Sequence, residues 1–305
     1  MDLETVIING SFYKKVPKFY YKFNSNDLSI SFDKKEGYSI HRAFKNKSQE
    51  IPYFLCPMYT ASVEGSDIVY KPNLKPASVS GDLQKVGIKK ASDIIDYCLD
   101  KGSHLMTIFE SGAIQMLELY EYQRNGTHIE PRNWSRVVPN TGTYRNTLGI
   151  YDTSGTLWNY VMGLTRPLDI DTGDDFFVFK ESLDITKLTS TDVFKNLKDI
   201  KDNYDVVTLP QCPDICKYIE YRGPTDCFEN NNVCTDMFIY SNNTDFYKTE
   251  SSLTTDGIFS YHRKGLFCKV FACFNAVKGK GTCSVDLFSH NNDVWYNSGF
   301  REVRY

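Results

Sequence analysis

Between Gly149 and Gly163 the chain reads Gly-Ile-Tyr-Asp-Thr-Ser-Gly-Thr-Leu-Trp-Asn-Tyr-Val-Met-Gly. An Asp/Ser/Gly turn runs straight into an aromatic and apolar segment centred on Trp158. Asp and Ser side chains bond their own backbone in tight turns, and Gly supplies the left-handed conformations such turns need. A large indole directly after a turn of this kind is expected to be a packing anchor beneath a loop-rich surface. Any fold for this chain has to bury Trp158 while holding the turn at Asp152 and Gly155 tight.

At 305 residues the chain can bury a sizeable core in one large domain or two modest ones. A net charge of -3 gives no electrostatic reason to bind DNA, RNA or anionic lipid, so no nucleic-acid partner is expected. No run of about 18 apolar residues is present, so no membrane insertion is expected. Met1-Asp2-Leu3-Glu4 lacks a basic segment followed by an apolar run, so no signal peptide is expected. Nine cysteines, an odd number, are then expected to be mostly free thiols in a reducing compartment. The 21 Tyr and 20 Phe fit either a recognition surface or a β-rich core.

Residues 1–37 read as a β arm. Thr5-Val6-Ile7-Ile8 ends at Asn9-Gly10, a strong hairpin dipeptide, and Leu28 to Asp33 alternates cleanly. Its apolar face needs cover, from the main domain or from a neighbouring subunit, and an assembly role is favoured. Tyr38 to Phe44 and Ile51 to Ser62 read as strands, and Val63 to Leu83 as a long loop. A helix is expected from Gly87 to Leu99, stopped by Lys101-Gly102, and a second from Ile108 to Tyr122. Thr107 followed by Glu110 fits a capping box for the second helix. Phe176 to Phe179 is a buried strand, a short helix is expected around Asp192 to Leu197, and strands return from Gly257 onward. The whole is one α+β domain over 38–305, with a loop-rich insertion at about 166–256.

Reactive motifs are scarce. The five histidines lie in no nucleophile-elbow or metalloprotease pattern, and His41 reads as a structural hydrogen-bonder. Cys212, Cys216, Cys227 and Cys234 could hold zinc, but their spacing departs from the usual pairs, so separate thiols are the expectation. Asp169, Asp171, Asp174 and Asp175 form either a solvated acidic turn or a calcium loop, although the full EF-hand spacing is missing. Cys268 and Cys273 could be redox or copper(I) ligands. Residues five apart in an extended strand face opposite sides, which favours core packing.

Four segments in order resemble the formylglycine-generating-enzyme (sulfatase-modifying factor)-like branch of the C-type lectin fold, which also supplies adhesion proteins of tailed bacteriophages. His41-Arg42-Ala43-Phe44 with Ile51 to Ser62 is similar to the H-P-A-F…Y-x-A-S opening of its phage members. Gly102-Ser103-His104-Leu105-Met106-Thr107 is similar to G-x-x-L-M-T between two helices, and Gly149 to Gly163 to G-x-Y-D-x-S-G-x-x-W-x-x-x-x-G. Gly299-Phe300-Arg301 is similar to the closing G-F-R. Departures are Gly155-Thr156-Leu157-Trp158-Asn159-Tyr160 for G-N-V-W-E-W and Arg263-Lys264-Gly265-Leu266-Phe267 for R-G-G-S-W. Cys268 and Cys273 match the spacing of the oxidase members' copper cysteines but sit about one residue early.

The resemblance implies a C-type-lectin-like domain with two helices and irregular sheets, framed by Asp152, Gly155, Trp158, Gly299, Phe300 and Arg301. It implies a non-enzymatic virion protein of a bacteriophage: a tail fibre or tail-tip protein, or a head fibre or capsid decoration protein. The arm would mount it on other virion proteins, as a homo-oligomer with a trimer favoured. A host cell-surface glycan or protein would be the bound receptor, with no cofactor beyond a possible calcium ion. The recognition face would comprise Tyr261, Phe271, Asn275, His290, Asn291, Asn292, Trp295, Tyr296 and Asn297. Aromatic stacking and amide hydrogen bonds suit that task, although solvated turn asparagines are the plainer reading of Asn291-Asn292. The alternatives are a copper-dependent oxidase acting through Cys268 and Cys273, and a purely structural virion protein.

Overall fold

One turn dipeptide shapes the start of the molecule. Asn9 and Gly10 both take positive φ, 49° and 76°, which is the requirement of a type I′ turn. They close the antiparallel hairpin of β1 (Thr5–Ile8) and β2 (Ser11–Pro17), with Ile8 opposite Ser11. The computed structural model describes residues 1–24, 27–125, 140–143, 148–153, 157–169, 175–200, 202–208, 217–221, 236–237, 256–260, 269–270, 285–287, 290–296 and 298–305.

The hairpin is not a detached arm. β2 pairs with Tyr53–Pro57, setting Tyr13 opposite Pro57 and Pro17 opposite Tyr53. β3 (Tyr20–Asn24) and β4 (Asp27–Ser31) form a second antiparallel sheet with Ser39–Ile40. Val16, Phe19, Tyr21 and Leu28 are buried in the same core as Phe44, Phe54 and Val161. Of the two covers considered for residues 1–37, the main domain supplies one: Leu3, Val16, Phe19, Tyr21 and Leu28 are covered by the body of the same chain, while Ile7 and Phe32 stay exposed. Each fully buried side chain of this kind contributes about 1.5–3 kcal/mol, more than a loosely attached arm would gain.

Helix α1 (Asp93–Asp100) is shorter than its apolar spacing predicts. Gly87 adopts φ +90° and ends a 3-10 turn at Asp82–Val86. The Asp93 carboxylate then accepts from the Lys89 and Lys90 amides at 2.9 and 3.1 Å, so the helix begins there. Its end follows the expected Lys101-Gly102 signal. Gly102 is left-handed at φ +67°, the Gly102 amide bonds Leu99 O, and the Ser103 amide bonds Cys98 O, a Schellman closure.

Helix α2 (Ile108–Asn125) opens on the expected capping box. The Thr107 amide donates to Glu110 Oε2 at 2.7 Å, and the Glu110 amide donates to Thr107 Oγ1 at 3.1 Å. Glu110 Oε1 also lies 2.8 Å from His104 Nε2. Phe109, Ala113, Ile114, Met116 and Leu117 carry α2 into the first core, against β4 and the turn Arg42–Phe44. Ile94, Ile95 and Cys98 carry α1 into a second core with Tyr160, Phe177, Phe179 and Phe300.

The remaining sheets are small. A six-stranded mixed sheet runs in the order Lys217–Tyr221, Asp256–Ser260, Val285–Leu287, Lys269–Val270, Trp158–Tyr160, Ser298–Phe300. Leu164–Thr165, Asp175–Phe179 and Tyr204–Thr208 form an antiparallel sheet. Two expectations are corrected. Tyr38 to Phe44 is strand only at Ser39–Ile40, because His41 caps a 3-10 turn by accepting the Ala43 amide on Nδ1 at 3.1 Å. Val63 to Leu83 is not all loop: Ser62–Glu64 and Asp67–Val69 form a hairpin around Gly65-Ser66, with Gly65 at φ +64°. The architecture is mixed α and β, with few helices and several small, mainly antiparallel sheets.

Candidate functional site

The two glycine-rich signatures meet. Trp158, Asn159 and Tyr160 pair in parallel with Ser298, Gly299 and Phe300. Trp158 is buried, as its place after the turn requires. A Cβ on Gly299 would lie 2.9 Å from Ala77 O, so glycine lets the backbone at Ala77 pack this closely against the strand. Asp152 is a buried non-glycine residue at φ +62°, and its carboxylate accepts the Gly142 amide at 3.0 and 3.1 Å.

Arg301 locks this frame. It is fully buried, with Nη1 donating to Pro57 O at 2.8 Å and Nη2 donating to Thr60 Oγ1 and Tyr151 O. Burial lowers the guanidinium pKa below its usual value, while the nearby Asp152 carboxylate opposes that shift. The Cys56 thiol is itself pushed up to about 12 by burial, which makes it inert at neutral pH. Cys98 is likewise a buried free thiol. Asp152, Trp158, Gly299, Phe300 and Arg301 thus form one connected frame; Gly155 lies outside the described residues.

From this frame the chain projects the turn 290–296. Asp293 organises it: Oδ2 accepts the His290 amide at 2.7 Å and Trp295 Nε1 at 2.6 Å. His290 Nδ1 accepts the Asn292 amide at 3.1 Å, which assigns the neutral ring's proton to Nε2. The backbone is pinned to the start of α1, where the Ala91 amide donates to Asp293 O and the Ser92 amide to Asn291 O. The Ser80 amide reaches Trp295 O at 3.4 Å, and the half-buried indole packs on the second core. Two of the expected contact residues, His290 and Trp295, therefore spend polar atoms on holding the turn. Asn292, Val294 and Tyr296 face outward, with Val294 47 % and Tyr296 58 % exposed.

Sequence reasoning missed Asp293 and Val294. The available signal was an aspartate two residues before a tryptophan and just after an Asn pair, a pattern that favours a side chain-bonded turn. Tyr261, Phe271, Asn275 and Asn297 lie outside the described residues, as do Cys212, Cys216, Cys227, Cys234, Cys268 and Cys273. Of the acidic loop, Asp171 and Asp174 also lie outside them, while Asp169 Oδ1 accepts the Leu197 amide at 2.8 Å. Among the described residues no group of three His, Cys, Asp or Glu side chains is placed to hold a metal ion. No helix among them is long and apolar enough to cross a membrane. No family model matches the chain, and no curated protein matches it in sequence.

Proposed function

We propose that the chain is a non-enzymatic virion protein of a bacteriophage, with a C-type-lectin-like domain that binds a host surface glycan or protein. The observation that carries this reading is the turn 290–296. Its backbone is held by Asp293 and by the start of α1, while Asn292, Val294 and Tyr296 stay exposed. A pre-ordered turn presenting an amide and an aromatic ring loses little entropy on binding, and both groups suit sugar or peptide contacts. The meeting of the Gly149–Gly163 and Gly299–Arg301 signatures in one frame supports the finer fold assignment. Mounting on other virion proteins, with a trimer favoured, would use the outer strand β1, where Ile7 is 62 % exposed. The test is an array of bacterial surface glycans, with a pull-down from bacterial envelope proteins beside it. The reading expects saturable capture on at least one; a chain that captures neither, yet binds a purified capsid or tail component, contradicts the receptor role.

A further inference from the structure

The turn 290–296 is bordered by the segment 75–93, whose Ser80, Ala91 and Ser92 amides all bond to it. Four lysines of that segment, Lys75, Lys85, Lys89 and Lys90, are exposed. Three carboxylates share this face, and each is already engaged. Asp82 takes Lys85 at 2.7 Å and Lys75 at 3.4 Å. Asp93 Oδ2 accepts the Lys89 and Lys90 amides, and Asp293 Oδ2 accepts the His290 amide and the Trp295 indole. The ammonium groups of Lys89 and Lys90 have no ion-pair partner among the described residues. Cations therefore outnumber carboxylates at this face, the reverse of the chain as a whole, which carries -3.

Their place matters as much as their charge. The Ala91 amide donates to Asp293 O at 3.0 Å and the Ser92 amide to Asn291 O at 2.9 Å. Lys89 and Lys90 thus leave the chain directly beside the exposed Asn292. One face thereby presents two ammonium groups, an amide and the Tyr296 ring, which is 58 % exposed. A lysine is a point charge on a flexible stem, so it takes a carboxylate or phosphate oxygen without demanding a fixed fork. An amide both donates and accepts, as sugar hydroxyls require, and a tyrosine ring offers a flat apolar face to a sugar ring. An uncharged sugar would leave the lysines unused, and an acidic peptide would leave the ring and amide without their matching groups.

We propose that the receptor bound at this turn is an acidic glycan, its carboxylate or phosphate on Lys89 and Lys90 and a sugar ring on Tyr296. The inference rests on the receptor reading above and narrows it from a glycan or protein to a negatively charged sugar.

The experiment is capture of the full chain on immobilised alginate and phosphomannan, which carry carboxylates and phosphates, and on uncharged dextran and mannan. Poly-glutamate serves as a polyanion without sugar, and the double variant Lys89→Gln with Lys90→Gln is run beside the wild type. Both lysines are exposed, so the variant should keep the wild-type stability. Saturable capture is expected on alginate or phosphomannan and not on dextran or mannan, and which acidic probe binds decides between carboxylate and phosphate. That capture should fall roughly tenfold in the double variant, and should weaken as NaCl rises from about 50 to about 500 mM. Dextran or mannan captured as well as the acidic probes, with the double variant unchanged, would overturn this proposal and leave the receptor reading standing. Poly-glutamate bound as tightly as either acidic glycan would overturn the sugar assignment. Capture on none of the five would overturn the acidic glycan, while the receptor reading itself is decided by the wider array and the envelope pull-down.

Discussion

Trp295 Nε1 donates to Asp293 Oδ2 at 2.6 Å, two residues away, and the same oxygen accepts the His290 amide. One carboxylate oxygen thereby fixes both the entry of the turn and the indole that closes it. Asp293→Ala removes both bonds and should destabilise the chain by about 1–3 kcal/mol, the usual cost of orphaning partly buried donors. Asp293→Asn keeps an acceptor and should recover most of that loss. Urea midpoints followed by tryptophan fluorescence check the pair; equal midpoints for wild type and Asp293→Ala would show that the turn is held otherwise.

Arg301 draws Pro57, Thr60 and Tyr151 together from segments far apart in the chain. Arg301→Met leaves those acceptors buried without a donor. A loss of about 3–5 kcal/mol is expected, typical of breaking a buried charged network. Arg301→Lys keeps the charge but cannot serve all three acceptors, so it should fall between. Denaturant titration measures both variants.

The Asp236 carboxyl, buried beside His41 at 3.7 Å, is lifted to about 7, chiefly by desolvation. The His41 imidazole is lowered to about 3 for the same reason. Raised above its unfolded value, Asp236 contributes stability that is present near pH 4 and lost as pH rises to 7. Depressed below its unfolded value, His41 contributes stability that is present above pH 6.5 and lost as pH falls towards 3. The two slopes oppose one another between about pH 4 and 6.5. Asp236→Asn removes the first slope, so the variant should gain on the wild type between pH 4 and 7.5, by about 2–4 kcal/mol. Parallel stability curves over that range would contradict the assignment.

Thr107 supplies the N-cap of α2. Thr107→Ala should cost about 1 kcal/mol, while leaving the Glu110 contact to His104 in place. A urea midpoint shift of that size, without a change in the slope of the transition, is the expected result.

Much of the local structure could be read from residues in order. Asn9-Gly10, Thr107 with Glu110, and Lys101-Gly102 each act over five residues or fewer, and all three act as expected. The start of α1 was misplaced because the Asp93 carboxylate holds the Lys89 and Lys90 amides in a non-helical segment, which interrupts an apolar spacing that continues upstream. The Gly65-Ser66 hairpin was missed because only two three-residue strands flank it. What covers residues 1–37 depends on pairing Tyr13 with Pro57, a long-range register that no local pattern encodes. In the candidate site, the aromatic and amide content of the turn was visible. Which side chains support it and which face outward was not, since that depends on Ala91 and Ser92 about 200 positions away.

The most direct measurement is binding of the fluorescently labelled full chain to a panel of intact bacterial cells, beside the double variant Asn292→Ala with Tyr296→Ala. Both side chains are exposed, so the variant should melt within a degree or two of wild type. The account predicts saturable binding to at least one strain, reduced at least tenfold in the variant. Binding that the variant retains in full would contradict the turn 290–296 as the recognition surface.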